Sequence, residues 1–192
     1  MTGHLTTSIR ITAALLVLTC VLYPAAVWTV GQLAFRREAN GSFVTRDSKV
    51  MGSELIGQRF TSERFFHSRP SAANYDATAS GGTNLGPTSK QLLAQLDARI
   101  ASCTDVRPPG GIPADAVTAS ASGLDPHITP ANAFAQAPRV ARANGVSRAA
   151  IERLIRARTE RRFLAIYGEP RVNVLLLNLD VQSLAAKGKG RP

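Results

Sequence analysis

The sequence predicts an α+β protein in which one N-terminal membrane-spanning helix is followed by a single soluble domain of mixed helices and strands. Three observations carry that prediction. Residues 11–35, ITAALLVLTCVLYPAAVWTVGQLAF, hold no charged side chain. The rest of the 192-residue chain leaves roughly 155 residues, enough for one core and hardly for two. That remainder alternates stretches with apolar spacings of three and four with short β-branched runs, which is the mixed pattern of an α+β domain. The expected organisation is a short tail at residues 1–10, the span at 11–35, a soluble domain at 36–183 and a basic flexible tail at 184–192.

At about 1.5 Å rise per residue the apolar run covers roughly 37 Å, against a hydrocarbon core of about 30 Å. A cleaved secretory signal has a shorter apolar core, and here the run continues past the small pair Ala25 and Ala26 through Val27, Trp28, Val30 and Leu33. A lipoprotein signal at Cys20 would want a small residue before it, where Thr19 stands. Pro24 removes a backbone donor and predicts a kink in the middle of the span. Ala25 and Thr29, four apart and small, would let a second helix approach; a lone lipid-facing anchor is the alternative.

Beyond the span, Asn40-Gly41 signals a turn, with residues 42–44 and 49–51 as two short strands of a hairpin. Asn40-Gly41-Ser42 also spells a glycosylation sequon, but the turn accounts for these residues. Residues 60–91 are dense in Ser, Ala, Gly, Thr, Pro and Asn. Phe65, Phe66 and Tyr75 recur along them, and a flexible linker has no use for large apolar side chains, so an ordered loop is expected. Thr88 or Ser89 can cap a helix over residues 90–102, where Leu92, Leu93, Leu96 and Ile100 share a face. Pro108, Pro109, Gly110 and Gly111 break the chain, and residues 117–120 read as a short strand. Thr129-Pro130 starts a helix that Pro138 should kink or end, with Asn144-Gly145 closing the segment. Ser147 caps a helix over residues 148–166, with Ile151, Leu154, Ile155 and Phe163 inward and arginines outward. Residues 171–181, RVNVLLLNLDV, read as a central strand, and the tail AAKGKGRP as frayed.

Formal net charge is +10. The basic residues cluster as Arg139, Arg142, Arg148, Arg153, Arg156, Arg158, Arg161 and Arg162, mixed with Glu152 and Glu160 and without an aromatic platform. That pattern fits a solvated helix face or anionic lipid heads and argues against a nucleic-acid partner. Cys20 lies in the span and Cys103 outside it, so the two cannot bridge within one chain. Three His and no CxxC or HExxH spacing give no metal site. Arg10 before the span and Arg36, Arg37, Arg46 and Lys49 after it would, by the positive-inside rule alone, leave the domain in the cytoplasm, although the rule is weak for a long domain.

Two stretches resemble chemistry. Gly81, Gly82, Asn84 and Gly86 could cradle an anion on backbone donors, but Pro87 stands where a P-loop needs Lys and no strand precedes the loop. Tight-turn geometry explains these glycines better. Ser122-Gly123-Leu124-Asp125-Pro126-His127 places a carboxylate, an imidazole and a hydroxyl close together, so a membrane-tethered hydrolase using Asp125 and His127 is the alternative function. Triad members normally come from separate parts of a fold, and Asp125-Pro126 reads more naturally as a turn. No catalytic residue is assigned.

Taken in order, the segments resemble the KdpC family, the C subunit of the Kdp potassium-transporting P-type ATPase. The resemblance runs through Tyr23-Pro24, Gly57-Gln58 with Phe60, Phe66-His67, Arg69-Pro70-Ser71-Ala72 and Tyr75-Asp76. It continues through Ser80-Gly81-Gly82, Asn84-Leu85-Gly86-Pro87, Val117-Thr118 and Ser122-Gly123-Leu124-Asp125-Pro126-His127-Ile128. It closes on Arg139-Val140-Ala141 and Gly168-Glu169-Pro170-Arg171-Val172-Asn173-Val174-Leu175. Departures are Thr83 where Ser is frequent, Ala121 where Gly is frequent, Arg64 where Pro is frequent, and the basic tail. The resemblance implies a non-enzymatic accessory subunit of a potassium import complex in a bacterial inner membrane. It would work beside a channel-like potassium-binding subunit and a catalytic P-type pump subunit, in assembly and in raising the pump subunit's affinity for ATP. ATP would then be met through the pump subunit. The resemblance also implies a domain outside the cytoplasm.

Overall fold

The computed structural model describes residues 2–103 and 110–189. The chain divides between Met51 and Gly52 into two compact units. Pro108 and Pro109, expected as a chain break, lie outside the described residues.

The first unit is dominated by one apolar helix. It runs as α1 (Thr2–Val17), a π-helical turn (Leu18–Leu22) and α2 (Tyr23–Ala34). Residues 3–34 form a 32-residue helix long and apolar enough to cross a bilayer, so the residues preceding the charge-free run are helical as well. Its large apolar side chains point outward all round, Leu15 and Trp28 among them, as in a helix whose solvent is lipid. Pro24 acts one turn earlier than its own position. It has no N–H for the Cys20 carbonyl and its ring crowds that turn, and the backbone responds by widening, so that the Tyr23 N–H donates to the Leu18 carbonyl five residues back. Thr19 and Thr29 donate their hydroxyls to the Leu15 and Ala25 carbonyls at 2.7 and 2.8 Å, leaving no hydroxyl of theirs unsatisfied toward hydrocarbon. After α3 (Arg36–Ala39), β1 (Phe43–Arg46) pairs with β2 (Lys49–Ser53). The hairpin turn is Asp47-Ser48, both at positive φ (50° and 61°), as a two-residue loop requires; Asn40-Gly41 is a separate turn after α3.

The second unit packs helices against a three-stranded antiparallel sheet. Its elements are α4 (Lys90–Ser102), α5 (Ala114–Val117), β3 (His127–Ile128), α6 (Pro130–Asn144), α7 (Arg148–Arg158), β4 (Thr159–Glu160), β5 (Arg171–Asn173) and α8 (Val174–Lys189). The sheet order is β3-β5-β4, with Ile128 opposite Val172 and Thr159 opposite the same Val172. Ser89, Thr129 and Ser147 cap α4, α6 and α7 through their hydroxyls, as their positions predict. Gly145, at φ 66°, closes α6 in the left-handed conformation and lets the chain turn directly into α7. Ile128, Ala133, Ala137, Val140, Ile151, Ile155, Val172, Val174, Leu177 and Val181 form the core, and Phe66 enters it from the long loop.

Five expectations are corrected. The strand expected over residues 171–181 stops at Asn173 and becomes α8. Val174, Leu177, Val181 and Ala185 are the buried positions, and their spacings of three and four are helical; the β-branched content of the run concealed that period. Asn173 accepts from the Leu176 N–H at 3.2 Å, a capping contact that favours the switch. The same helix reaches Lys189, through the first residues of the segment expected to fray. Residues 117–120 make no strand, because α5 ends at Val117 and Thr118 is extended without a ladder partner. The helix after Ser147 ends at Arg158 rather than near 166, since Thr159 and Glu160 join the sheet, and Phe163 lies exposed instead of inward. Pro138 neither ends nor divides α6, for Ala137, Val140 and Ala141 around it are buried. Their packing offsets the roughly 3 kcal/mol that an interior proline costs.

Residues 54–89 form the ordered loop that their aromatic residues predict. No helix or strand occurs in this stretch, so its backbone must find hydrogen-bond partners elsewhere. Asn178 of α8 accepts from the Phe66 N–H at 2.7 Å and donates to the Phe66 carbonyl at 3.0 Å. Gln136 of α6 does the same for His67 at 2.8 and 3.2 Å. Arg139 donates to the Glu63 carbonyl at 2.6 Å and Asn144 to the Arg64 carbonyl at 2.8 Å. Side chains of two helices thus play the part that a neighbouring strand plays in a sheet.

Candidate functional site

The strongest cluster of ionisable groups lies where the loop meets β3. A cleft of about 280 Å³ is lined by Arg69, Asp115, Asp125, His127, Thr129, Glu169 and Arg171. Asp125 sits two residues before β3, and Pro126 directs the chain into the strand through the hydrogen bond from the Val174 N–H to the Pro126 carbonyl. The Asp125 carboxylate accepts from the His127 backbone N–H at 3.0 Å and from Arg69 Nη1 at 3.1 Å; His127 Nδ1 lies 3.6 Å from Oδ1. Partial burial would by itself push the Asp125 carboxyl up, but the side-chain and backbone contacts from His127 and the Arg69 guanidinium outweigh it and hold the carboxyl below the ordinary range. Arg69 Nη2 also reaches the Ala119 carbonyl at 3.4 Å, while the Arg69 carbonyl accepts from Tyr75 Oη at 2.6 Å.

The structure therefore brings Asp125 and His127 together, as their spacing suggests, and adds Arg69 from 56 residues away. Among the described residues lining the cleft there is no serine or cysteine to serve as nucleophile. Thr129 carries the hydroxyl in the cleft, and that hydroxyl donates to Asp115 Oδ1 at 2.9 Å and accepts from the Asn132 N–H at 3.1 Å. Ser122 turns to its own loop, accepting from the Leu124 N–H. The arrangement is that of a turn braced by an arginine. Among the described residues no three His, Cys, Asp or Glu side chains converge as a metal-ligand set.

Gly81, Gly82, Asn84 and Gly86 lie in the long loop ahead of α4. The Gly81 N–H donates to the Ser122 carbonyl at 2.8 Å, and a Cβ on Gly82 would stand 2.8 Å from the Ala121 carbonyl oxygen. Close backbone approach to the residue 121–123 turn requires glycine at position 82, independently of any anion. A Cβ on Gly86 would meet nothing within 4 Å.

A family model for KdpC, described as "K+-transporting ATPase, c chain", matches residues 5–183. The chain belongs to the KdpC family. It is 50% identical over 190 residues to the potassium-transporting ATPase KdpC subunit of Gemmatimonas aurantiaca, covering 97% of this chain and 96% of that one. The corresponding subunit of Rhodospirillum rubrum is 51% identical over 171 residues, 87% of this chain and 89% of its own length. That of Koribacter versatilis is 45% identical over 183 residues, 94% and 95% of the two chains. The match takes in the Asp125–His127 turn, the glycine loop and the apolar helix together.

The part of this KdpC-family domain that motif reading misses is a buried polar chain. Asp115 accepts from Thr129 N–H at 2.7 Å and Asn132 Nδ2 at 3.1 Å; Asn132 Oδ1 accepts from Gln136 Nε2 at 2.9 Å, and Gln136 Oε1 from Arg139 Nη2 at 2.8 Å. Asp115, Asn132, Gln136 and Arg139 are all buried. Burial of the His67 imidazole beside this chain, reinforced by the Arg139 charge, lowers its pKa. The signal available in the sequence is Asn132, Gln136 and Arg139 at intervals of four and three on one stripe of α6. Such a stripe reads as a wet face unless the loop that covers it is known.

Proposed function

We propose that this protein is a non-enzymatic accessory subunit of a potassium-transporting ATPase complex, anchored by a single span and docked on a channel-like, potassium-binding subunit beside a catalytic P-type pump subunit. The observation that carries the proposal is the KdpC-family match across residues 5–183, which joins one apolar helix and one domain in a single chain. The Asp125–His127–Arg69 geometry supports it, because those groups are spent on bracing a turn. In this reading residues 11–35 lie in the bacterial inner membrane, residues 36–183 form the docking domain and residues 184–192 a basic tail.

We place the domain outside the cytoplasm. Arg10 before the span and Arg36, Arg37, Arg46 and Lys49 after it would by charge alone favour the cytoplasm, but membership of the KdpC family supports the outer side, and a signal-anchor can export the residues on its C-terminal side. On that side ATP is scarce, so the subunit acts through assembly and stability of the complex rather than by presenting nucleotide to the pump subunit.

Complementation tests the function. Cells lacking their own KdpC-family subunit should regain growth at limiting K⁺ when this chain is supplied with matching partner subunits, and a tagged chain should retain those partners on purification. Retention of partners by the wild type but not by a chain with residues 11–35 scrambled supports docking through the span. Loss of growth on Asp125→Asn or His127→Gln with the complex intact would instead favour chemistry at the cleft. Labelling Cys103 in spheroplasts with a membrane-impermeant thiol reagent, in a Cys20→Ser background with denaturant to control for burial, tests the side. Reaction only after permeabilisation would put the domain in the cytoplasm and return ATP delivery to the front.

A further inference from the structure

Between β4 and β5 the chain leaves the domain as a hairpin with its own hydrogen bonds. Phe163 and Tyr167 exchange N–H···O bonds at 2.8 and 2.9 Å, and the Ala165 and Ile166 N–H groups donate to the Arg162 and Phe163 carbonyls at 3.1 Å. Leu164 and Ala165 take positive φ, 52° and 62°, to close the tip. This pinned tip is apolar. Phe163 is 71% exposed, Leu164 70%, Ile166 72% and Tyr167 66%.

Single exposed apolar side chains are ordinary on any protein surface, but four in five consecutive residues on one pinned hairpin form a patch that water disfavours. Its base is cationic. Arg162 pairs with Glu169 at 2.8 Å, whereas Arg161 has no carboxylate within ion-pair distance among the described residues. The core of a protein pocket is depleted of charge. A bilayer presents acyl boundary and anionic headgroup one above the other, and tyrosine suits the level between them. The chain also carries its own span, so a contact of this hairpin with the same bilayer is intramolecular and need be only weak.

We propose that residues 161–167 are a second membrane contact, in which Phe163, Leu164 and Ile166 enter the headgroup boundary of an anionic bilayer while Arg161 meets lipid phosphates. The proposal rests on the span anchoring the chain, and its test separates the two. The full chain carrying Cys20→Ser, Cys103→Ser and Leu164→Cys is labelled with an environment-sensitive fluorophore and placed in nanodiscs of phosphatidylcholine alone or with phosphatidylglycerol. A sister chain labelled at Leu15→Cys reports whether the span is inserted.

The expected result is a blue-shifted label at position 164, quenched by nitroxide lipids, in the anionic discs and much less in the neutral ones. Arg161→Glu should lower the bound-to-free ratio by at least about fivefold, the effect of roughly one charge at an anionic surface, and salt should act in the same direction. A water-exposed label at 164 in both lipids, while position 15 reports insertion, overturns the proposal. Burial of that label only when the other subunits are added overturns it too, and assigns the hairpin to a protein pocket.

Discussion

Replacing Asn178 by Ala should cost this domain far more than the loss of one polar side chain suggests. Asn178 is 2% exposed, and its amide satisfies both backbone groups of Phe66, itself fully buried. Truncation leaves a buried N–H and a buried C=O without partners where water cannot follow, at about 1–3 kcal/mol each. The expected loss is therefore about 2–6 kcal/mol, against about 5–15 kcal/mol for a typical domain. For a domain of this size that is a fall in Tm of roughly 5–20 °C. Near-ultraviolet circular dichroism of the detergent-solubilised chain during heating reads it, with Arg153→Ala on the exposed face of α7 as the control. Asn178→Asp keeps the acceptor for Phe66 N–H but sets a negative oxygen against the Phe66 carbonyl, so it should be no milder than Ala. If Asn178→Ala shifts the transition no further than Arg153→Ala, the loop is not held by these hydrogen bonds.

Gly82→Ala should destabilise by about 1–3 kcal/mol because its Cβ meets the Ala121 carbonyl oxygen at 2.8 Å, whereas Gly86→Ala should be nearly neutral; calorimetric titration of the full chain with ATP should show no micromolar site, and one abolished by Gly86→Ala would make the loop a nucleotide cradle. The Asp125 carboxyl titrates lower folded than unfolded, so its contribution is present above the unfolded value near 3.8 and is lost as pH falls through the folded pKa; Arg69→Met should flatten the acid limb of a stability–pH curve, and an unchanged limb would remove Arg69 as a brace. The His67 imidazole is also lowered, by burial first and by Arg139 second, which means that the unfolded chain binds the proton more readily. Stability should therefore decline as pH falls below about 6.5, and His67→Gln should reduce that decline in chemical denaturation at stepped pH.

Local signals are written plainly into this sequence and non-local ones are not. Ser89, Thr129-Pro130 and Ser147 mark helix starts because a cap is a matter of three or four neighbouring residues. Gly145 marks an end for the same reason. Residues 171–181 mislead because their apolar run contains both periods, and Asn173, the residue that divides strand from helix, acts through a contact three residues on. Phe163 reads as inward only when a helical period is extended past Arg158, where the sheet takes the chain instead. At the cleft, Asp125 and His127 are legible as neighbours. Arg69 and the Asn132–Gln136–Arg139 stripe are not, since their partners lie 56, 69 and 76 residues away in the chain.

The clamp on Phe66 also sets an order of events in synthesis. Its two halves are 112 residues apart, and the Glu54 carbonyl waits for Asn173 across 119. When the ribosome has made residues 54–89 it has made a segment whose backbone partners do not yet exist, and the partner for Phe66 emerges only with α8, near the end of the chain. Closing such distant contacts is slow and comes late. A nascent chain truncated before Asn178 would thus carry most of the domain's residues and lack the contact that fastens its first third, leaving Phe66 open to chaperones or proteases until the last helix arrives.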